Sequence, residues 1–366
     1  MKDRFRAGIA YTLHHRLRAG GRPHRSVRSS RTDTLAVVFG TGLPPLMDTL
    51  DLVAQGAGFY GDEHLTIRKI IVPGAAQELE ACANNTADIC PIGIERMFTG
   101  YEIGQHAQLF LAWASRYTYV LALLDDSPIK TLTDFKGAAI GVQELGPQST
   151  GQATVTSMLA NAGLKNDDYS FVPIGFNNLD ALSSKRVAGA GFPYYEMIPF
   201  QVAGAKLRIF ENPILAQTPS GGYGASPSTI QTKADALRRF ARAIVRASLL
   251  VRLNPAGSAR LLLTANGKPF TEDDVRLYAR ELTLWEPSLP AADPANKQIG
   301  LFPIAGEETY SKLLADFGLT KAPVPVSAVV TNQFNAFAND FDHAAVAKLA
   351  QSRHEAAAAD QRSPNA

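Results

Sequence analysis

The chain predicts an α/β fold of two lobes, each a mostly parallel sheet flanked by helices. Three observations carry this expectation. Its 366 residues suit two domains of ~100–200 residues better than one. Candidate strands such as Thr34 to Phe39 are continuous apolar runs, the pattern of strands covered on both faces. Such runs then alternate with helical segments in a β-α-β-α-β order, which argues for a parallel sheet. Hydrophobic residues make up 46% of the chain and charged residues 19%, enough apolar side chain for two cores.

Each element has a local reason. Gly40 and Gly42 close the first strand, and Pro44 and Pro45 open a helix, where proline is tolerated in the first turn. That helix runs to about Gln55 and stops at Gly56 and Gly58. Leu65 to Val72 is the second strand, Ala75 to Asn84 the second helix, and Ala87-Asp88-Ile89 leads into the third strand. Leu121 to Val142 reads as a strand, an acidic turn, a short helix ended by Gly137 and another strand from Ala138. In Thr150 to Ala162, residues Val155, Met158, Leu159 and Ala162 fall on one helical face. A strand from Ser170 to Ile174 and a helix near Leu179 to Ser184 follow. Leu237, Phe240, Ala241 and Ile244 give Ala234 to Leu253 the same spacing, and Asn254-Pro255 ends it. Further helical segments are Ala259 to Leu263, Glu272 to Leu284 and Glu308 to Phe317.

Charge is unevenly spread. The net charge of +2 combines +7 in Met1 to Thr34 with −5 in the remainder. A basic leader on an acidic body excludes a nucleic-acid reader, which carries its basic stripe on the folded domain. Arg238, Arg239, Arg242 and Arg246 lie along one side of their helix and are expected to form a solvated face. No run approaches the ~20 apolar residues of a membrane helix. The apolar stretch Ala7 to Leu13 is short for an export signal and is interrupted by Tyr11 and Thr12. A mis-assigned start, a degraded signal and a cytoplasmic protein stay open as readings. Cys82 and Cys90 have no zinc-type spacing. A disulfide between them fits an oxidising compartment, but two separate buried thiols are the expectation.

In open α/β sheets, ligands bind beyond the carboxyl ends of the strands. Three turns qualify: Thr41-Gly42-Leu43, Gly74-Ala75, and Gln148-Ser149-Thr150. Each offers backbone N–H groups at a helix N-terminus, suited to a carboxylate or sulfonate. Ordinary capping explains the same residues. Trp113, Tyr194, Tyr195 and Tyr223 could line an aromatic cleft or fill the core. Glu95 could accept from a ligand amine or be a salt-bridged loop residue.

Several segments together resemble a known family. Asp126-Ser127-Pro128-Ile129-Lys130, Leu132-Thr133-Asp134-Phe135-Lys136-Gly137 and Ile140-Gly141-Val142 are similar to the domain-crossing segment of type II periplasmic solute-binding proteins. The nitrate, sulfonate, taurine and thiamine-pyrimidine group is the most similar. Phe59-Tyr60, Gly74-Ala75-Ala76, Ala87-Asp88-Ile89, the helix with Arg238-Arg239-Phe240 before Asn254-Pro255, and Val330-Thr331-Asn332-Gln333-Phe334 with Phe341-Asp342 extend the likeness. It spans Leu35 to Asp342.

The resemblance implies a periplasmic-binding-protein type II fold whose two lobes are joined by two hinge crossings. It implies residues 1–33 as leader, 34–122 with 222–342 as the first lobe, 123–221 as the second, and 343–366 as a tail. The hinge is expected near Tyr117 to Leu124 and Gly221 to Ser226. It also implies a periplasmic, monomeric receptor that hands a sulfonate, carboxylate or aromatic solute to an ABC permease. No cofactor and no metal is expected. Tyr194, Tyr195 and Glu196 fall where the family often faces its ligand. The rival is an enzyme on the same fold, a pyrimidine-precursor synthase or an aromatic desulfinase. The synthase's cysteine-rich motif is absent, and Thr41 stands where the desulfinase has its nucleophilic Cys. No His pair or G-x-S-x-G frames a catalytic set.

Overall fold

The computed structural model describes residues 32–40, 48–72, 75–146, 149–175, 177–213, 215, 218–292 and 297–360. The basic leader and the turn residues Thr41, Gly42, Leu43, Gly74 and Gln148 lie outside them.

The chain begins with the anticipated alternation. Strand β1 (Asp33–Gly40), helix α1 (Thr49–Gly56) and a single turn α2 (Phe59–Asp62) precede β2 (Leu65–Val72). Helix α3 (Ala75–Ala83), β3 (Cys90–Gly93), α4 (Ile94–Glu102) and β4 (Gln108–Ala112) follow. Next come β5 (Tyr119–Leu124), β6 (Ala139–Val142), α5 (Thr150–Asn161) and β7 (Ser170–Pro173). Then α6 (Asn178–Ser183), β8 (Gly189–Pro193), α7 (Tyr194–Val202), β9 (Leu207–Glu211) and β10 (Gly221–Ala225). The remainder is helical: α8 (Pro227–Thr232), α9 (Ala234–Leu253), α10 (Pro255–Asn266), α11 (Glu272–Trp285), α12 (Ile304–Asp316), the single turns α13 (Val326–Val329) and α14 (Asn335–Ala338), and α15 (His343–Asp360).

These strands form two layers of like design. In the first, β1 pairs in parallel with β2, and a parallel bridge between Val37 and Ile89 joins β1 to the order β3-β10-β4. In the second, the order is β7-β6-β8-β5-β9, with β6 parallel to both neighbours. Each layer has one strand antiparallel to its neighbours, β10 in the first and β5 in the second. In both cases it is the strand that has just arrived from the other layer.

Pairing relocates the crossings. All of β5 belongs to the second layer, so the chain changes lobes at residues 113–118, before the expected break at 122. The return falls between the end of β9 at Glu211 and the start of β10 at Gly221, and the expected hinge at Gly221 to Ser226 is occupied almost wholly by β10. Ser115, Arg116 and Thr118 interrupt the apolar stretch Gln108 to Leu124 at the first crossing, but hydropathy does not show that the two strands beside them belong to different sheets. The tail is also more than a tail. Val346 and Ala350 of α15 are buried in the first core, and Asn254 Nδ2 donates to Ala350 O at 2.8 Å.

Helix α9 is the spine of the first lobe, with Leu237, Phe240, Ala241 and Ile244 all buried as its spacing requires. Its arginines do not form the expected solvated face. Arg242 donates to both Glu63 oxygens, at 2.8 and 2.7 Å, and Arg246 pairs with Asp62 at 2.7 Å. Arg238 and Arg242 also lie over the Phe337 ring. The stripe is a seam that clamps α9 onto α2 and α14.

Cys82 and Cys90 form a disulfide with a Cα–Cα separation of 6.1 Å, not two separate thiols. It ties the end of α3 to the start of β3 across a separation of 8 residues. Closing so short a loop is expected to contribute about 2 kcal/mol. Cys82→Ser should lower the urea-unfolding free energy by that amount, and dithiothreitol should do the same to the parent chain. An unchanged midpoint in both would refute the assignment.

Candidate functional site

The two sheets present the starts of their helices to one another, and the chemistry gathers there. Phe135 and the strands of the second lobe hold α5 tightly. A Cβ on Gly151 would stand 2.9 Å from Gly191 O, so the first turn of α5 lies directly on β8. Ser149 caps this helix, accepting from Gln152 N at 3.2 Å. That is the ordinary capping role weighed for this turn. Thr150, the first helical residue, faces the first lobe.

Across from it stands Glu95, in the first turn of α4 and only 3% exposed. Its Oε1 accepts from Tyr117 Oη and, at 3.0 Å, from Tyr310 Oη. The Tyr117 hydroxyl also lies 2.7 Å from Thr154 Oγ1 on α5 and 2.8 Å from the Tyr310 hydroxyl. One buried network therefore joins α4 and α12 of the first lobe, the first crossing and the second lobe. Glu95 Oε2 is buried without a partner. A Cβ on Gly93 would stand 2.9 Å from it and 4.0 Å from Thr150 Oγ1, which puts the free oxygen at the lobe junction. Arg96 pairs with Glu144 at 3.2 Å over the same boundary. The crossings are joined to each other by Thr118 Oγ1 and Ser220 Oγ at 2.8 Å.

A second polar group sits at the carboxyl ends of β6, β7 and β8. Glu196 Oε1 accepts from Gln143 Nε2 at 2.6 Å, and its Oε2 accepts from Asn178 Nδ2 at 3.0 Å. Asn178 Oδ1 is left buried without a donor. Burial pushes the Glu196 carboxyl up to about 7, against the pull of those two donors. Glu78, in the first turn of α3, is pushed by burial to about 7 despite the Arg96 charge. Burial also raises Glu95, opposed first by the Tyr117 hydrogen bond.

Aromatic side chains close the floor. Trp113 and Tyr223 meet edge to face at 6.3 Å, and Tyr195 meets Trp285 at 6.1 Å. With Leu50, Ala114 and Thr118 they enclose a cavity of about 20 Å³, room for about one water. Trp113, Ala114 and Thr118 belong to the first crossing, Tyr195 to the second lobe, and Tyr223 and Trp285 to the first. A guest larger than water requires the lobes to part. Tyr223 shows the box its ring alone, because its hydroxyl donates to Asp51 Oδ2 at 2.7 Å. Trp285 Nε1 is buried without an acceptor. A larger open groove, about 660 Å³ and walled by Val202, Leu253, Pro255 and Leu284, lies away from the strand ends.

The expected residues thus divide. Glu95, Thr150, Trp113, Tyr195, Glu196 and Tyr223 stand at the lobe junction. Ser149 spends its side chain on the cap. Tyr194 packs against the cores of both lobes, beside Arg116 and Glu211, and does not line the aromatic box. Ala75 opens α3, but its side chain is not described. Tyr117, Gln143, Asn178, Trp285 and Tyr310 were not singled out as ligand contacts. A carboxylate in the first turn of a helix that follows a strand was the available signal for Glu78.

The comparisons agree with this architecture. A two-lobed α/β clamshell with its polar residues at the facing strand ends is the fold of periplasmic binding proteins. The NMT1/THI5-like family matches residues 49–258, more than half of the chain, and the chain belongs to that family. No curated protein sequence matches it. The alkanesulfonate-binding protein SsuA from Xanthomonas axonopodis pv. citri, bound to MOPS, superposes with a TM-score of 0.63 at 17% identity, over 83% of this chain and 99% of that one. The periplasmic aliphatic sulphonate-binding protein SsuA from Escherichia coli gives 0.64 at 18%, over 81% and 92%. The desulfurization enzyme DSZB gives 0.53 at 16%, over 88% and 99%. At these identities the likeness fixes the fold.

Proposed function

We propose that the protein captures a small organic solute between its lobes and delivers it to the permease of an ABC importer, without chemistry on the solute. The observation that carries this reading is the aromatic box, whose walls come from both lobes and the first crossing. Contacts from both sides exist together only when the lobes close, so the ligand shifts the open–closed balance by its differential affinity. The two sulfonate-binding relatives support it by name. The Cys82–Cys90 disulfide supports an oxidising compartment such as the periplasm. The enzyme alternative, represented by DSZB, lacks a thiol here: both cysteines are bonded to each other.

A thermal-shift screen over sulfonates, nitrate, aromatic acids and pyrimidines tests the reading, since a ligand of the native state raises its melting temperature. Tyr195→Ala should then weaken the hit about 10- to 100-fold, the usual cost of removing an aromatic anchor, with the unliganded fold intact. A screen without any hit would count against solute capture. Equal affinity of the variant by calorimetry would remove Tyr195 from the site.

A further inference from the structure

Taking the solute-capture reading as its basis, we propose that the captured solute is a nitrogen base, a flat cation of ammonium or amidinium type that offers N–H donors. The sequence offers the helix N-termini after three strands either as cradles for a carboxylate or sulfonate or as ordinary caps. Of those helices α3 carries one of the chain's own carboxylates in its first turn and α5 carries none, while other helix starts at the junction carry one each. Asp51 lies in the first turn of α1, Glu78 of α3, Glu95 of α4 and Glu196 of α7. These acids satisfy the positive helix ends, which leaves little attraction there for a second anion.

Among the described residues, two acceptors and one donor, Trp285 Nε1 in the aromatic box, are left buried and unsatisfied at the junction. Glu95 Oε2 and Asn178 Oδ1 belong to side chains more than nine-tenths buried, and neither has a donor. A buried acceptor without a donor is costly, and a ligand N–H relieves it. The assignment of Asn178 Oδ1 follows from its Nδ2 donating to Glu196. Cationic partners for an anion are scarce. Arg96 is engaged by Glu144, and Arg116 is turned to Ser288 and Glu211. Lys69 lies over the Phe39 ring. The segments 41–47, 73–74, 147–148, 216–217 and 293–296 contain no Lys, Arg or His. The ring faces of Trp113, Tyr195 and Trp285 suit a flat cation as well, through the quadrupole of the aromatic ring.

The test is calorimetric titration of the full chain with benzamidine, phenethylamine and 4-aminopyridine, set against benzoate, 3-phenylpropionate and benzenesulfonate. At least one cation is expected to bind at least tenfold tighter than every anion. Glu95→Gln and Glu196→Gln should each weaken that cation at least tenfold, while the unliganded variants keep the parent's melting temperature or exceed it. An anion that binds tightly while the cations do not overturns this proposal and leaves solute capture standing. Failure of all six also overturns it, and the wider screen described above then decides whether the protein is a receptor at all. Cation binding indifferent to both Gln variants would place the cation elsewhere and refute the assignment.

Discussion

Between about pH 4.5 and pH 7 the unliganded protein should lose stability as the pH rises, the reverse of ordinary acid denaturation. Asp48, Glu78, Glu196 and Glu281 all contribute, each raised by burial to about 7. Burial holds the Glu78 and Glu196 carboxyls near 7 in the folded chain, whereas an exposed glutamate titrates near ~4.3. In that window the native state holds protons that the unfolded state has released. Stability therefore has a negative slope with pH. Their contribution is fully present below the unfolded value and is lost as the pH passes through about 7. The effect is on the order of 1–3 kcal/mol for each group. Burial raises Glu95 and Glu307 in the same direction. Carboxylates such as Asp134 and Asp168 are lowered by backbone hydrogen bonds, but they act near the acid end of the range. Urea unfolding at pH 5, 6, 7 and 8 measures the slope, and Glu196→Gln should flatten it. A profile rising from pH 5 to 7 would mean that these acids are ionised at little cost.

That cost explains a feature of the site. A receptor that stores buried, half-satisfied carboxyls keeps its empty state less stable than packing alone would allow, and a ligand supplying the missing donors recovers the difference. Stability and binding are then readings of the same residues.

How much of this was legible in the sequence depended on range. Helix α9 was read to the residue, because its apolar spacing and the Asn254-Pro255 stop are local facts. The strand β2 and the helix α5 were legible for the same reason. The lobe boundary was not, since Ser115, Arg116 and Thr118 mark a gap between β4 and β5 but only pairing with β8 and β9 shows that the sheet changes there. The arginine stripe looked solvated because Asp62, Glu63 and Phe337 approach it from distant positions. The disulfide depended on the fold carrying α3 back against β3. Trp285 escaped notice for a related reason: nothing near it in the chain says that α11 ends against Tyr195. Where the sequence did speak about the cleft, through Glu95, Trp113, Tyr195, Glu196 and Tyr223, it identified residue types able to recognise a solute. The glycine-rich turns suggested anion cradles, and the acid in the first turn of α3, Glu78, was not weighed beside them.

Phe240→Ala should be the most damaging single change in the first lobe, with an expected loss of about 3–5 kcal/mol. The ring is fully buried. It stacks on Tyr60 at 5.7 Å, meets Phe110 edge to face at 6.4 Å and meets Tyr223 at 5.2 Å. Truncation removes these contacts together and leaves a cavity that the clamped helix α9 cannot easily close, since Glu63 and Asp62 hold its arginines. The damage has a direction. Tyr60 and Tyr223 both donate to Asp51, at 2.8 and 2.7 Å, and Phe240 is packed against both rings. Without it the two donors lose their lateral support, and a wall of the aromatic box loosens. Phe240→Leu keeps most of the volume and should cost about half as much. Denaturant unfolding measures both variants, and titration of whichever ligand the screen identifies measures the box. A loss below about 1 kcal/mol for Phe240→Ala would contradict this packing. A full loss of stability with unchanged affinity would separate the core of the first lobe from the recognition of the solute.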